Sequence, residues 1–342
     1  MSLTAADPDN AALLEVSDLR IAYTSTSGVV DVVRDVSFRV KRGETVALVG
    51  ESGSGKSTIG LAIMGLLPPA GSVTAGTVRF EDQDLVGLSE DRWRRLRGAE
   101  ISMVFQDPLS ALNPVLTVGR QIAEVFTAHQ QMSAAEAREK TLELLRRVRM
   151  PDPEQRFKQY PQQFSGGMRQ RVVIAMALAL NPRLIVADEP TTALDVTVQE
   201  RIMDLLDELI SDQESGLLLI THDLAVVADK ADRIYVLYAG QVMESGPIRA
   251  VYDAPANPYT LGLLSSVPVP DQVGRALDPI PGSPPDPATL GPGCPFAPRC
   301  DVAADRCIRE NPPLVEIAPG RFSACHFAKE VATDGRTVAA RP

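Results

Sequence analysis

The sequence predicts an α/β fold with a mainly parallel core sheet, and three observations predict it. Short apolar runs of strand length alternate with stretches of helical periodicity over most of the chain. One of these runs leads into a glycine-rich loop and then a helix, and another ends in two adjacent carboxylates. Unbroken apolar strands separated by helices belong to a sheet covered on both faces, which is the habit of parallel sheets.

Residues 1–12 are expected to form a flexible lead, because they hold neither periodicity nor an apolar run. Leu14–Tyr23 and Val36–Val40 alternate in the manner of antiparallel strands at one side of the fold. The core strands are expected at Thr45–Val49, Ile101–Phe105, Leu184–Ala187, Leu217–Ile220 and Arg233–Tyr238. Helices are expected at Lys56–Leu66, Val118–Gln131, Ala134–Val148, Gly167–Leu180 and Val198–Ile210. Residues 92–165 are mostly helical and interrupt the strands, so they are expected to form a helical subdomain within a domain spanning 13–255. Beyond that, Pro255, Pro258, Pro268 and Pro270 break the chain, and proline and glycine crowd residues 279–298. Residues 256–342 therefore read as a small irregular extension, ordered by something other than a large core.

The formal net charge of -10 excludes a protein that holds nucleic acid by bulk positive charge. No stretch approaches the roughly 18 apolar residues a membrane-crossing helix needs. The nearest, Val172–Leu180, stops at Asn181-Pro182. The first ten residues lack the basic start and apolar run of a signal peptide, so the chain is expected to stay in the cytosol, where disulfides are rare.

Gly50-Glu-Ser52-Gly53-Ser54-Gly55-Lys56-Ser57 follows an apolar strand and opens a helix. That context identifies a phosphate cradle: the glycines let backbone amides wrap an anion, and the helix start adds partial positive charge. Lys56 suits the terminal phosphates, and the Ser57 hydroxyl suits Mg²⁺, with Thr58 close by. Asp188 and Glu189 end the second strand. A carboxylate there can hold Mg²⁺, and its neighbour can position water for in-line attack on a γ-phosphate. Ser165, Gly166 and Gly167, in Phe164-Ser-Gly-Gly-Met168, begin a long apolar helix and form a second anion-binding end.

Two phosphate-binding helix starts in one chain resemble the ABC ATPases, whose signature Leu-Ser-Gly-Gly-Gln departs here to Phe-Ser-Gly-Gly-Met. The resemblance covers residues 13–246 with the motifs in family order, and it implies the P-loop ABC ATPase cassette with an antiparallel β side and a helical subdomain. It assigns Tyr23 to stacking on adenine, Gln106 to sensing Mg²⁺ and contacting a membrane subunit, Asp195 of Ala193-Leu194-Asp195 to the loop that crosses between subunits, and His222 to the γ-phosphate. It further implies a head-to-tail pair, with ATP held between the cradle of one copy and the Ser-Gly-Gly turn of its neighbour.

Asp107-Pro through Gly119, Asn257-Pro-Tyr-Thr260, Pro281-Gly-Ser-Pro-Pro285, Gly293 to Cys300 and Ala324-Cys325-His326 resemble the oligopeptide and dipeptide importer branch, with Asn257 standing where that branch usually has histidine. The resemblance implies an ATP-hydrolysing subunit at the cytoplasmic face of the cell membrane, bound to two polytopic permease subunits. Its second ATPase would be a sister chain rather than a copy, and an extracytoplasmic peptide-binding protein would act indirectly. Nickel or another small solute is the alternative cargo, because the cargo is chosen elsewhere. A soluble ABC ATPase acting on DNA or ribosomes fits the acidic balance poorly.

Cys294, Cys300, Cys307 and Cys325 are all late in the chain. They lack the tight Cys-x2–4-Cys pairs of structural zinc sites, whereas iron–sulfur clusters tolerate wider spacing. The set resembles that of branch members holding a [4Fe-4S] cluster; zinc or free thiols stay open. Arg299 and Arg306 beside the cysteines could lower a thiol pKa or simply lie at the surface.

Overall fold

The computed structural model describes residues 12–26, 28–192, 194–211, 214–266 and 279–338. The first half of the chain runs β1 (Ala12–Ser25), β2 (Gly28–Lys41), β3 (Thr45–Val49), α1 (Lys56–Ile63), β4 (Gly71–Phe80), β5 (Gln83–Asp84), α2 (Glu90–Leu96), β6 (Ile101–Val104), α3 (Pro108–Ala111), α4 (Val118–His129), α5 (Ala134–Arg147), α6 (Pro153–Arg156) and α7 (Gly166–Leu178). The second half runs β7 (Leu184–Asp188), α8 (Val196–Ser211), β8 (Gly216–Thr221), α9 (Leu224–Ala228), β9 (Arg233–Tyr238), β10 (Gln241–Pro247), α10 (Ile248–Asp253), α11 (Pro258–Ser265), α12 (Asp305–Arg309), β11 (Val315–Ala318), β12 (Arg321–Ser323) and α13 (Ala328–Val338). The five expected core strands and five expected helices are all present, with ends displaced by a few residues. Of the expected N-terminal lead, residues 1–11 lie outside the described residues, and Ala12 already belongs to β1.

The chain forms two compact units. One is built on Gly87–Leu219 with Val40–Glu44. Here β6 and β7 pair in parallel, in register from Ile101↔Leu184 to Val104↔Ala187, and every residue of both strands is buried. The helices around them start at side-chain caps that satisfy otherwise orphaned N–H groups. Thr117 caps α4, Ser133 and Glu136 close a reciprocal capping box on α5, and Ser165 caps α7. The helices α4 and α5 pack together, and Ile122, Phe126, Leu142 and Leu145 of their apolar stripes are buried.

The other unit takes Glu15–Arg39, Thr45–Val86 and the chain from Ile220 onward. Its mixed sheet has the order β11-β12-β10-β9-β3, with β3 and β9 parallel and the other pairs antiparallel. The neighbouring four-stranded sheet has the order β2-β1-β4-β5. The C-terminal extension holds more regular structure than its composition suggests: β12 pairs with β10 through Glu244↔Ser323 and Ser245↔Phe322.

Buried polar groups fasten that extension. Glu244, fully buried, accepts from the backbone N–H of Ala256 at 2.8 Å and from Arg321 at 3.0 Å. Asn257 is 1% exposed. Its carbonyl oxygen caps α11 by accepting from the Tyr259 N–H at 3.0 Å, while its amide donates to the carbonyls of Met243 and Ala324. A histidine, with one acceptor and one donor nitrogen when neutral, could cap and donate once, so asparagine adds a third tie.

Candidate nucleotide site

In the second unit, β3 delivers the chain into the glycine-rich loop. Gly50 has φ +152, and a Cβ there would lie 2.1 Å from the Leu237 carbonyl oxygen, so no other residue fits. Gly55, the N-cap of α1, has φ +99 and sits against the Val32 carbonyl. Lys56 is 4% exposed. Its ammonium donates to the carbonyls of Gly50 at 2.8 Å and Glu51 at 2.9 Å and to Ser54 Oγ at 3.3 Å, so the loop is wound around its own cation. No side chain caps α1 and no acidic residue sits in its first turn, an arrangement that suits a helix start to an anion. Ser57 and Thr58 are half-buried in that first turn, while Ser52 and Gly53 are exposed at the loop's crest. Tyr23 is half-buried near the end of β1, its ring against Gly71. His222 is exposed directly after β8, ahead of Asp223, which caps α9.

In the first unit, β7 ends in Asp188, 6% exposed, and the chain then turns through Glu189 at φ +45. The parallel register that sets Val104 against Ala187 carries Gln106 and Glu189, each two residues further on, opposite one another. Gln106 Nε2 donates to Glu189 Oε2 at 2.7 Å, and Thr192 Oγ1 donates to the same oxygen at 2.8 Å. One carboxylate oxygen is thus fixed by two donors. Sequence reasoning missed Thr192; its signal was a hydroxyl three residues past the carboxylate, in reach across the turn closed by the Thr192 N–H on the Glu189 carbonyl.

The Ser-Gly-Gly turn lies in this same unit. Ser165 Oγ accepts from the backbone N–H of Met168, so Met168 serves the turn through its backbone. A Cβ on Gly167 would come within 2.7 Å of Val198, and one on Gly166 within 3.2 Å of Leu194. These glycines let α7 approach the start of α8, which Asp195 caps by accepting from the Val198 N–H at 2.9 Å. Ala193 of the expected Ala-Leu-Asp motif lies outside the described residues.

Cys294, Cys300, Cys307 and Cys325 line one small cavity, together with Phe296, Asn257 and His326. All four are free thiols. Arg299 and Arg306 do not lower the pKa of Cys294, Cys300 or Cys325. Burial pushes Cys294 up, Cys300 to about 12 and Cys325 to about 11. Arg306 is occupied by Glu310 at 2.9 Å, and the Arg299 side chain, only 6% exposed, is committed to Glu51. Among the described residues no group of three or more His, Cys, Asp or Glu side chains is set to hold a single metal ion. A zinc ion would need its thiolates within about 4 Å of each other, given Zn–S bonds near 2.3 Å, so that option loses support.

A P-loop strand and helix, an acidic strand end with its glutamine partner and a second capped helix start define a nucleotide-binding cassette. Comparison with known proteins bears this out. The ABC transporter family matches residues 33–192, and the oligopeptide/dipeptide transporter C-terminal region matches 243–307. The chain is 49% identical over 314 residues to the oligopeptide transport ATP-binding protein OppD of Escherichia coli, covering 92% of this chain and 93% of that one. It is 51% identical over 301 residues to the dipeptide transport ATP-binding protein DppD of Bacillus subtilis, covering 88% and 90%. Among solved structures, the post-hydrolysis dimer of the ATP-binding cassette MJ0796 with ADP and Pi matches at a TM-score of 0.63 and 32% identity, over 69% of this chain and 99% of that one. The chain therefore belongs to the ABC transporter ATP-binding proteins, in the branch that carries the oligopeptide/dipeptide C-terminal region.

Proposed function

We propose that this chain is the ATP-binding and ATP-hydrolysing subunit that powers import of dipeptides or oligopeptides across the cytoplasmic membrane. The observation that carries it is the Glu189 carboxylate, clamped by Gln106 and Thr192 at a strand end, in a chain that also holds the peptide-transporter C-terminal region. Nucleotide is bound by the loop at Gly50 and Ser52–Gly55, by Lys56 and by Thr58, with Tyr23 on the adenine. Ser165, Gly166, Gly167 and Asp195 complete the neighbouring subunit's site. Glu189 orients the attacking water and takes up its developing proton, His222 steadies the γ-phosphate, and the clamp keeps the carboxylate aimed.

Mg²⁺ would be held by Ser57, Gln106 and Asp188, and when bound it neutralises phosphate charge. The buried Asp188 carboxylate suits this ion, which keeps much of its shell as water and substrate phosphate. Cys294, Cys300, Cys307 and Cys325, around one cavity, would be the ligands of a [4Fe-4S] cluster, which accepts wider cysteine spacing than a zinc site. Iron and acid-labile sulfide in anaerobically purified protein test this, and their absence after reconstitution ends it.

Among the described residues no helix is long and apolar enough to cross a membrane. The likeness to peptide-transport ATP-binding proteins supports a subunit acting peripherally, at the cytoplasmic face, docked on two permease subunits and paired with a sister ATPase. The test is affinity purification from membranes, then ATP hydrolysis in proteoliposomes with the peptide-binding protein. Peptide-stimulated hydrolysis is expected. Recovery with nucleic acid or ribosomes, or stimulation by nickel alone, would sink the peptide reading.

A further inference from the structure

Glu51 is the first residue inside the glycine-rich loop, and each of its polar groups is pinned. Its carbonyl accepts from Lys56, which belongs to the loop. Its other two partners come from the C-terminal extension. The Glu51 N–H donates to the Tyr259 hydroxyl of α11 at 2.9 Å. The Glu51 carboxylate takes a two-pronged pair from Arg299, with Nη1 at 2.6 Å on one oxygen and Nη2 at 2.9 Å on the other. This planar fork-on-fork geometry is the strongest form of the ion pair, and it fixes orientation as well as distance.

Arg299 is itself held on every side. Its Nε donates to the Pro281 carbonyl at 2.7 Å, and Nη1 also donates to the Tyr238 hydroxyl at 3.1 Å. The rings of Tyr238, Tyr259 and Phe296 pack at centroid distances of 4.6 to 5.3 Å beneath it. With its side chain 6% exposed against 25% for Glu51, the pair is largely removed from water and weakly screened. This pair ties the C-terminal extension to the loop read as the phosphate cradle, 248 residues away in sequence.

We infer that Arg299 is a positioning residue for the phosphate-binding loop, so that the cysteine-bearing extension sets the affinity for ATP. The inference rests on the reading of Gly50–Ser57 as the phosphate cradle. Holding Glu51 fixes the take-off of the loop and pre-orders the amides that nucleotide would otherwise have to order on binding. Arg299 touches no reacting atom, so its loss acts on binding and spares the chemical step.

The test is a double-mutant cycle on the full-length chain with MgATP, reading dissociation constant, KM, kcat and thermal midpoint. Arg299→Met and Glu51→Gln are each expected to raise Kd and KM about tenfold, within the usual range of coupling between sites, with kcat within about twofold of wild type. The double variant is expected to lose no more than the worse single one. Unchanged Kd in folded Arg299→Met, or losses that simply add, overturns the inference. If Arg299→Met does not fold, Glu51→Gln decides alone, because it leaves the extension's side chains in place, and unchanged affinity there overturns it equally. Lys56→Ala separates the two readings. Wild-type binding in that variant condemns the cradle itself, whereas lost binding there with none lost in Arg299→Met condemns only the role of Arg299.

Discussion

Replacing Glu189 by glutamine changes charge and basicity at one point while sparing the local fold. In the structure, the carboxylate oxygen Oε2 accepts from Gln106 at 2.7 Å and from Thr192 at 2.8 Å. An amide oxygen can accept both of those bonds, so the clamp survives Glu189→Gln and the turn at φ +45 is untouched. What disappears is the negative charge that draws a proton from water. General-base contributions run about 10²–10⁴-fold, and phosphoryl transfer depends more on positioning than on proton abstraction, so the lower end applies. A loss of about a hundredfold in kcat is expected, or about 2.7 kcal/mol on the barrier. ATP affinity should hold or rise, and a long-lived ATP-bound pair should accumulate. Phosphate release at saturating MgATP, with size-exclusion chromatography for the pair, measures both. Turnover within about threefold of wild type would refute the role of Glu189, since no base worth so little would be needed. Gln106→Ala, which removes one of the two donors, should cost about tenfold, near the lower limit for a hydrogen bond to a charged group.

Gly50→Ala drives a Cβ to 2.1 Å from the Leu237 carbonyl at a φ of +152; a stability loss of about 2–3 kcal/mol with no measurable ATP binding is expected in denaturant titration and equilibrium binding. Arg321→Met strands the buried Glu244 carboxylate and should cost about 3–5 kcal/mol near neutral pH. Burial already holds the Glu244 pKa above its ordinary value of 4.5, so the folded chain binds this proton more tightly than the unfolded one. The stability it contributes is fully present below pH 4.5 and is lost as pH rises through the folded value. Losing Arg321 raises that pKa further, so urea midpoints of variant and wild type should converge near about pH 5 and separate toward about pH 8. A difference that stays constant with pH would show that Glu244 is not the group left stranded.

The nucleotide motifs were legible because each is local: a loop, a strand end or a helix cap is written in consecutive residues. Fully buried strands such as β3 and β7 were legible because burial on both faces leaves an unbroken apolar run. The strand β4 escaped because most of it is exposed, and a solvated strand carrying Gly76 has no apolar period to read. The strand β10 escaped for the opposite reason. Glu244 and Ser245 lie inside, and the Glu244 carboxylate is answered by Arg321, far along the chain, and by the Ala256 N–H. Neither the Gln106–Glu189 clamp nor the Arg299–Glu51 pair could be read from spacing, because each depends on strand register or on contacts hundreds of positions apart. The arginine in Pro298-Arg299-Cys300 looked like a neighbour of thiols, yet it serves the opposite end of the chain.

From composition, the proline-rich extension looked as though something other than a large core orders it, and a metal centre could do so. The ties found in the structure argue otherwise. Strand β12 is hydrogen-bonded onto β10, Arg321 reaches Glu244 and the Ala254 carbonyl, Asn257 ties α11 to the carbonyls of Met243 and Ala324, and Ser323 Oγ donates to the Ala256 carbonyl at 2.9 Å. None of these bonds uses a thiol. Those of Glu244, Asn257 and Ser323 are buried, where a polar pair is costly to break because the separated groups find no water. The extension should therefore stay folded when Cys294, Cys300, Cys307 and Cys325 are all replaced by serine or stripped of any metal. Limited proteolysis reports this directly: cleavage between about residues 279 and 330 should be no faster in the four-serine variant than in wild type at equal protease. Rapid loss of the extension in that variant alone would mean that the cysteines, and whatever they bind, hold the tail together.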